Sequence, residues 1–237
     1  MTPRPRTTPP LQNRVLPTAD IVADPGRGLL MGNRGSIGRP DRTLGVTRWR
    51  TKMWISCVLD WRGRQRDVMP PGRWTALFFL DEATALAAGH RPCGFCRRAD
   101  HRWLAASWQA AQGLAAPPKA GEMDTILHAE RVESRTRRKR RYPATAGHLP
   151  DGAVVWHAGA PALHHAGTLL PWSWSGYGPP EPIAPAATVE LLTPPSIVAA
   201  LAAGYRPLVH PTAGPTSMRS FPAAALAAGE HGIRNPA

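Results

Sequence analysis

The chain has 237 residues, with 29 lysines and arginines against 16 acidic residues and a formal net charge of +13. This length can bury a hydrophobic core without disulfides, and the basic excess favours a polyanionic partner such as nucleic acid, or an anionic membrane surface. The sequence has no apolar run of about 18 residues, and its first residues lack the apolar segment of a signal peptide. We therefore expect a cytoplasmic protein that does not enter the membrane.

The composition predicts an α+β fold that is rich in loops. Proline (27) and glycine (22) are frequent, and alanine supplies much of the hydrophobic fraction of 43%. Such a chain favours short helices and small mixed or antiparallel sheets over long helices or one large sheet. We expect a flexible basic arm at 1–25, a zinc-stabilised domain at 26–116, a basic linker at 117–141 and a small β-rich domain at 142–237.

The apolar patterns then predict individual elements. In chain order they are a hairpin of strands at 53–59 and 65–69, a buried strand at 77–80, an amphipathic helix at 98–112, a short helix at 123–131 and a small β-meander or partial barrel at 143–171. In the helix at 98–112, the residues Trp103, Leu104 and Trp108 follow the helical period, so we expect all three to pack inward.

One helix end occurs twice in the chain. The segment 85–92, Ala-Leu-Ala-Ala-Gly-His-Arg-Pro, returns at 200–207 with tyrosine in place of histidine. Each copy follows a buried strand and a residue able to cap a helix, Asp81 or Thr193, and each has a glycine suited to a left-handed helix end, Gly89 or Gly204. The repeat predicts two similar strand-helix units, of which only the first continues into a pair of cysteines.

The three cysteines form the strongest chemical signal. A reducing compartment disfavours a disulfide framework, which leaves metal binding, catalysis, a redox pair or simple burial for the three cysteines. Cys93 and Cys96 have the Cys-x-x-Cys spacing that suits a tetrahedral metal. We predict a Zn²⁺ site of Cys57, Cys93, Cys96 and His101. His90 is the alternative to His101 as the fourth ligand.

The stretch Leu77-Phe-Phe-Leu-Asp-Glu-Ala-Thr-Ala-Leu-Ala-Ala-Gly-His-Arg-Pro-Cys-Gly-Phe-Cys96 resembles the zinc-binding domain of the Ada-type DNA alkylation-repair regulators. The resemblance covers about 20 residues, and within it only Cys93 and Cys96 match zinc-ligand positions of the family. In that family four cysteines hold zinc, and an upstream thiolate accepts a methyl group from a DNA phosphotriester. The upstream Cys-x-x-x-Cys pair is absent here, so the resemblance implies Cys57 as the only candidate acceptor.

A run of basic residues supplies a candidate nucleic-acid contact. The run consists of Arg131, Arg135, Arg137, Arg138, Lys139, Arg140 and Arg141. Such a cluster neutralises phosphates, although a solvated segment is an equally good interpretation. We predict a zinc-binding protein that binds nucleic acid, DNA above RNA, with a link to DNA repair. The alternatives are an enzyme, with Cys57 as alkyl acceptor or with zinc in a hydrolase, and a protein-interaction module.

Overall fold

A computed structural model describes residues 9–63, 68–70, 72–133, 135–214 and 218–221. Its strands are β1 (Gln12–Val15), β2 (Ile21–Ala23), β3 (Leu30–Asn33), β4 (Ile55–Val58), β5 (Leu77–Phe79), β6 (Arg91–Pro92), β7 (Tyr142–Thr145), β8 (Val154–His157), β9 (Ala160–His165), β10 (Thr168–Ser173), β11 (Gly176–Tyr177), β12 (Glu181–Pro182), β13 (Thr188–Leu191), β14 (Leu208–Val209) and β15 (Arg219–Ser220). Its α-helices are α1 (Glu82–Ala87), α2 (Arg98–Gln112), α3 (Ala120–Arg131) and α4 (Pro195–Ala202). These short elements confirm the α+β class.

The first sheet has the strand order β2-β1-β5-β3-β4-β6. The pairs β1/β5 and β4/β6 run parallel, and the other neighbours run antiparallel. The strand expected at 77–80 is confirmed as β5, whose apolar run is buried on both faces. The first strand of the expected hairpin is β4, which pairs with β3 and β6 rather than with 65–69. Residues 65–67 of the expected second strand lie outside the described ranges.

The second sheet has the order β11-β10-β9-β8-β13-β7, with β12 beside β10, and all of its pairs are antiparallel. Strands β8, β9 and β10 form the expected meander through two tight turns. Its side chains alternate between the faces, since Val155 packs against α2, α3 and α4 whereas its neighbour Val154 packs against α1 and β14. The second sheet is therefore covered on both sides.

Two of the expected segments contain regular secondary structure. Part of the arm expected to be flexible forms β1 and β2, and Val15 is fully buried in the first sheet; residues 1–8 lie outside the described ranges. The expected linker contains α3, in which Met123 and Leu127 occupy one face four residues apart and pack with Trp108 of α2 and Val155 of the second sheet. The core therefore runs across the boundary placed at residue 116.

Both copies of the repeated helix end form strand-helix-strand units, namely β5-α1-β6 and β13-α4-β14. Asp81 caps α1 as expected, by accepting a hydrogen bond from the Thr84 amide at 2.9 Å. Thr193 does not cap α4, because its hydroxyl accepts from the backbone amide of Val154 and Pro194 occupies the cap position. The two copies therefore share a backbone arrangement, but the side chains at their helix starts form different hydrogen bonds.

The first turn of α1 joins the two halves of the chain. The Asp81 carboxylate accepts hydrogen bonds from the Tyr177 hydroxyl at 2.7 Å and from the His210 amide at 2.9 Å. The next residue, Glu82, is fully buried and forms an ion pair with Arg97 at 2.8 Å. Because these carboxylates are fully engaged in the interior, they serve the packing of the fold.

Candidate metal centre and cationic cavity

Two adjacent strands and one turn bring the three cysteines together. Cys57 lies on β4, and the parallel pairing of β4 with β6 lets the Cys93 amide donate to the Ser56 carbonyl at 2.9 Å. The chain then turns through residues 94 and 95, and the Arg97 amide closes the turn on the Cys93 carbonyl at 3.0 Å. The three sulfur atoms consequently lie within 4.8 Å of one another, which is close enough to share one metal ion.

Backbone amides point at the sulfurs of the turn. The Phe95 amide donates to Cys93 Sγ at 3.4 Å, the Cys96 amide also hydrogen-bonds to that sulfur, and the Val58 amide bonds to Cys96. Amide donors stabilise the thiolate form, which is the form that binds metals. The turn is thus built to hold anionic sulfur.

The sulfurs also bond to one another. Hydrogen bonds from Cys57 and then Cys96 lower the pKa of Cys93 well below its usual range. Hydrogen bonds to Cys93 and Cys96, together with burial, raise the pKa of Cys57. These shifts favour the thiolate form of Cys93 and the protonated form of Cys57. A metal ion that binds all three sulfurs as thiolates must displace the protons that the sulfurs carry.

The fourth ligand remains a prediction. His101 lies on α2 with its ring beside the turn, and a Cβ added to Gly94 would lie 3.4 Å from His101 Cδ2. Its Nδ1 atom is buried without a hydrogen-bond partner among the described residues. Among the described residues, the ligand atoms that lie within 4.8 Å of one another belong to the three cysteines. His101 is not part of this group. The alternative, His90, belongs to a different cluster, where it accepts a bond from Arg34.

Burial distinguishes the three cysteines. Cys57 is only 4% exposed and packs with Met31, Met69 and Phe78, whereas Cys93 and Cys96 are partly exposed. Arg97, directly after the turn, is buried and donates to the Ser56 hydroxyl at 3.0 Å, which fixes α2 to the strand that carries Cys57. The candidate metal centre therefore lies at the junction of the first sheet and α2.

The predicted nucleic-acid contacts divide into two groups. Arg131 is fully buried at the end of α3, and the ammonium nitrogen of Lys139 is buried as well, so neither is a free surface charge. The exposed members of the run are Arg135, Arg137, Arg138, Arg140 and Arg141, of which Arg141 forms an ion pair with Glu190 at 2.8 Å. The run forms a loop closed by a bridge between Val132 and Lys139.

The structure shows a second feature that the sequence analysis missed. Arg131 and Lys139 line a cavity of about 440 Å³ together with Arg34, Arg48, Trp49 and Trp54. We call it the cationic cavity. The sequence signal that could have indicated it is the Gly/Arg-rich stretch at 26–50, which supplies Arg34 and Arg48.

Other histidine and tryptophan side chains have structural roles. His164 is buried with its ring nitrogen 3.3 Å from the Pro150 carbonyl. Trp172 donates to the Thr84 hydroxyl at 2.9 Å, and its ring lies 5.4 Å from that of Trp174. Trp103, expected to pack inward, is 36% exposed and lies beside Tyr205.

Comparisons of the chain with protein-family models, with curated proteins and with solved structures find no match. The resemblance to the Ada-type domain therefore stays a prediction carried by residues 77–96. None of the helices in the described ranges has the length and apolar character needed to cross a membrane.

Proposed function

We propose that this protein binds one Zn²⁺ ion through Cys57, Cys93 and Cys96, with His101 completing the site. The single observation that carries the proposal is the group of three sulfurs within 4.8 Å of one another. Thiolates prefer soft or borderline ions, and a tetrahedral site rich in sulfur is typical of zinc.

The role proposed for the metal is structural. Cys57 is buried beneath the turn, and the metal would tie strand β4 to the start of α2. A metal that binds the folded chain stabilises it by mass action. The same burial argues against Cys57 as an alkyl acceptor on DNA, because a bulky phosphotriester would have to reach a sulfur that is 4% exposed.

The experiment is elemental mass spectrometry of the purified protein and of four variants, Cys57→Ser, Cys93→Ser, Cys96→Ser and His101→Ala. We expect about one zinc ion per wild-type chain, loss of zinc in the cysteine variants and weaker retention in His101→Ala. His148→Ala is the matched control, since His148 is exposed on the second half of the chain. Wild-type protein that contains no metal after reduction and incubation with Zn²⁺ would overturn the proposal.

We further propose that the exposed arginines of the 131–141 run bind nucleic acid, DNA in the first instance. The supporting observation is that Arg135, Arg137, Arg138 and Arg140 are exposed on one loop, in a chain with a net charge of +13. Phosphate contacts of this kind are sequence-independent and weaken as salt rises. Fluorescence anisotropy with a labelled 5′-hydroxyl oligonucleotide tests this, and the absence of any salt-dependent binding would contradict it.

A further inference from the structure

The cationic cavity lies between the end of β3, the 48–54 segment and the 131–141 loop. Seven of its lining side chains are basic, and Asp20 is the acid among its lining residues in the described part of the chain. The Asp20 carboxylate accepts a hydrogen bond from the Thr18 hydroxyl at 2.7 Å. A volume of about 440 Å³ falls within the range of small-molecule sites. The lining therefore has a large positive excess.

The two deepest arginines are held rigidly. The guanidinium carbons of Arg34 and Arg131 lie 3.9 and 4.0 Å from the ring centroid of Trp54, which is itself buried. Arg34 donates to His90 Nε2 at 3.2 Å and to the Ala19 carbonyl at 3.0 Å. Contacts of this kind fix the guanidinium planes before any ligand arrives.

Arg131 is anchored by the repeated helix end. It donates to the Gly89 carbonyl at 2.7 Å and to the Lys52 carbonyl at 2.5 Å. Gly89 has a φ of +88°, and a Cβ there would lie 2.5 Å from Arg131 Cδ, so only glycine allows this approach. The Gly89-His90 pair of the first copy thus supports both arginines of the cavity.

Three buried donors remain without partners among the described residues. They are Arg34 Nη2, Arg131 Nε and Lys139 Nζ. Burial is the main cause that lowers the pKa of Lys139 to about 7, and the charges of Arg131 and Arg34 add to it. Burial also lowers the pKa of Arg131 to about 9. Leaving buried cationic donors unsatisfied is costly, and an anion in the cavity would supply the missing acceptors.

We propose that the cationic cavity binds a phosphate monoester, with its oxygens accepting from Arg34, Arg131 and Lys139. A dianionic phosphate matches a cluster of fixed cations better than a single carboxylate does, and guanidinium groups bind phosphate oxygens with directed hydrogen bonds. Trp49, half-buried in the cavity wall, offers an aromatic face for a nucleobase. A mononucleotide and the phosphorylated end of a nucleic acid share this chemistry.

The test is calorimetric titration of full-length protein with adenosine 5′-monophosphate, adenosine and inorganic phosphate. We expect the monophosphate and inorganic phosphate to bind and adenosine not to bind. Lys139→Met should weaken monophosphate binding by about tenfold or more, because a charged hydrogen bond in a buried site is lost. Arg135→Gln is the matched control, since it removes a charge from the same loop outside the cavity, and it should change the affinity less than twofold.

A second variant tests the same cavity independently of Lys139. Arg138 is exposed at the cavity wall, so Arg138→Gln should fold normally and still weaken monophosphate binding more than Arg135→Gln does. Absence of phosphate-dependent binding to wild-type protein at millimolar concentration would overturn the proposal. Equal affinities of the Arg138 and Arg135 variants would overturn it as well.

Oligonucleotides with a 5′-phosphate or a 5′-hydroxyl distinguish the two sources. If the cavity takes nucleic-acid ends, the phosphorylated oligonucleotide binds more tightly, and Lys139→Met abolishes the difference. If it takes free nucleotides, only the monophosphate responds to that variant. The cavity proposal does not depend on the metal or on the proposed binding of nucleic acid by the exposed arginines. Failure of the 5′-hydroxyl oligonucleotide to bind would contradict only the nucleic-acid proposal.

Discussion

Replacement of Lys139 by methionine should stabilise the ligand-free protein. The Lys139 ammonium is buried without a hydrogen-bond partner in the described part of the chain, and its pKa falls from 10.5 to about 7 through burial and the nearby Arg131 and Arg34 charges. One pKa unit corresponds to about 1.36 kcal/mol, so this lowering represents roughly 4 kcal/mol of unfavourable free energy near neutral pH. After relaxation of the site, we expect the free energy of unfolding to rise by about 2 to 4 kcal/mol in the methionine variant.

The sign of the pH dependence provides an internal check. Between pH 7 and 10.5 the unfolded chain keeps the Lys139 proton while the folded chain releases it, so the contribution of Lys139 to stability rises with pH. The advantage of Lys139→Met should therefore be fully present below about pH 7 and should shrink by about 1.4 kcal/mol for each pH unit above it.

Urea unfolding followed by circular dichroism at pH 7 and pH 9, in phosphate-free buffer, measures both effects. Arg135→Met serves as the control for loss of one exposed charge, and its stability should remain within about 0.5 kcal/mol of wild type. A Lys139→Met protein less stable than wild type at pH 7, or an advantage that does not change with pH, would refute the reasoning.

Three further predictions follow from the fold and the metal centre. Removal of zinc by a strong chelator should lower the melting temperature by several degrees, as read by differential scanning calorimetry with zinc added back as the control. Zinc affinity should fall as pH decreases, and binding should release protons, because hydrogen bonds to Cys93 and Cys96 together with burial raise the pKa of Cys57. Calorimetry in buffers of different ionisation enthalpy measures the release, and heats that do not depend on the buffer would contradict this expectation. Asp81→Ala should cost about 2 to 4 kcal/mol of unfolding free energy, since it removes the α1 cap and leaves the Tyr177 hydroxyl and the His210 amide without their acceptor. Asp81→Asn should cost less. Equal losses of unfolding free energy in the two variants would contradict this account.

Local sequence signals predicted the elements with clear periodicity. The helix expected at 98–112 matches α2, and the meander expected at 143–171 matches β8 to β10, because the apolar period and the turn residues there depend only on neighbours in the chain. The same logic failed for Trp103. Its position fits the inward face of an isolated helix, but the surface that α2 presents to the core depends on distant elements.

The metal centre could be predicted only in part. The spacing of Cys93 and Cys96 is a local signal, and Cys57 was selected because the chain has only three cysteines. What brings Cys57 to the pair is the parallel pairing of β4 with the two-residue strand β6, and such a short non-local contact leaves no mark in the sequence. The identity of the fourth ligand depends on α2 geometry of the same non-local kind.

The cationic cavity was beyond the reach of sequence patterns. Arginines in a basic run are usually exposed, so Arg131 was interpreted as a surface contact with phosphates. Its burial depends on Gly89 and Trp54, which lie 42 and 77 residues away in the chain. Burial of a cation is decided by the whole surrounding packing, and no local pattern records it.

The most direct test of the metal centre is zinc-edge X-ray absorption on the purified, zinc-loaded protein. The proposed site predicts three sulfur ligands at about 2.3 Å and one lighter ligand at about 2.0 Å, which becomes a water oxygen or is lost in His101→Ala. A coordination shell made of nitrogen and oxygen alone, or a spectrum unchanged in Cys57→Ser, would contradict the assignment of Cys57, Cys93 and Cys96 as a zinc site.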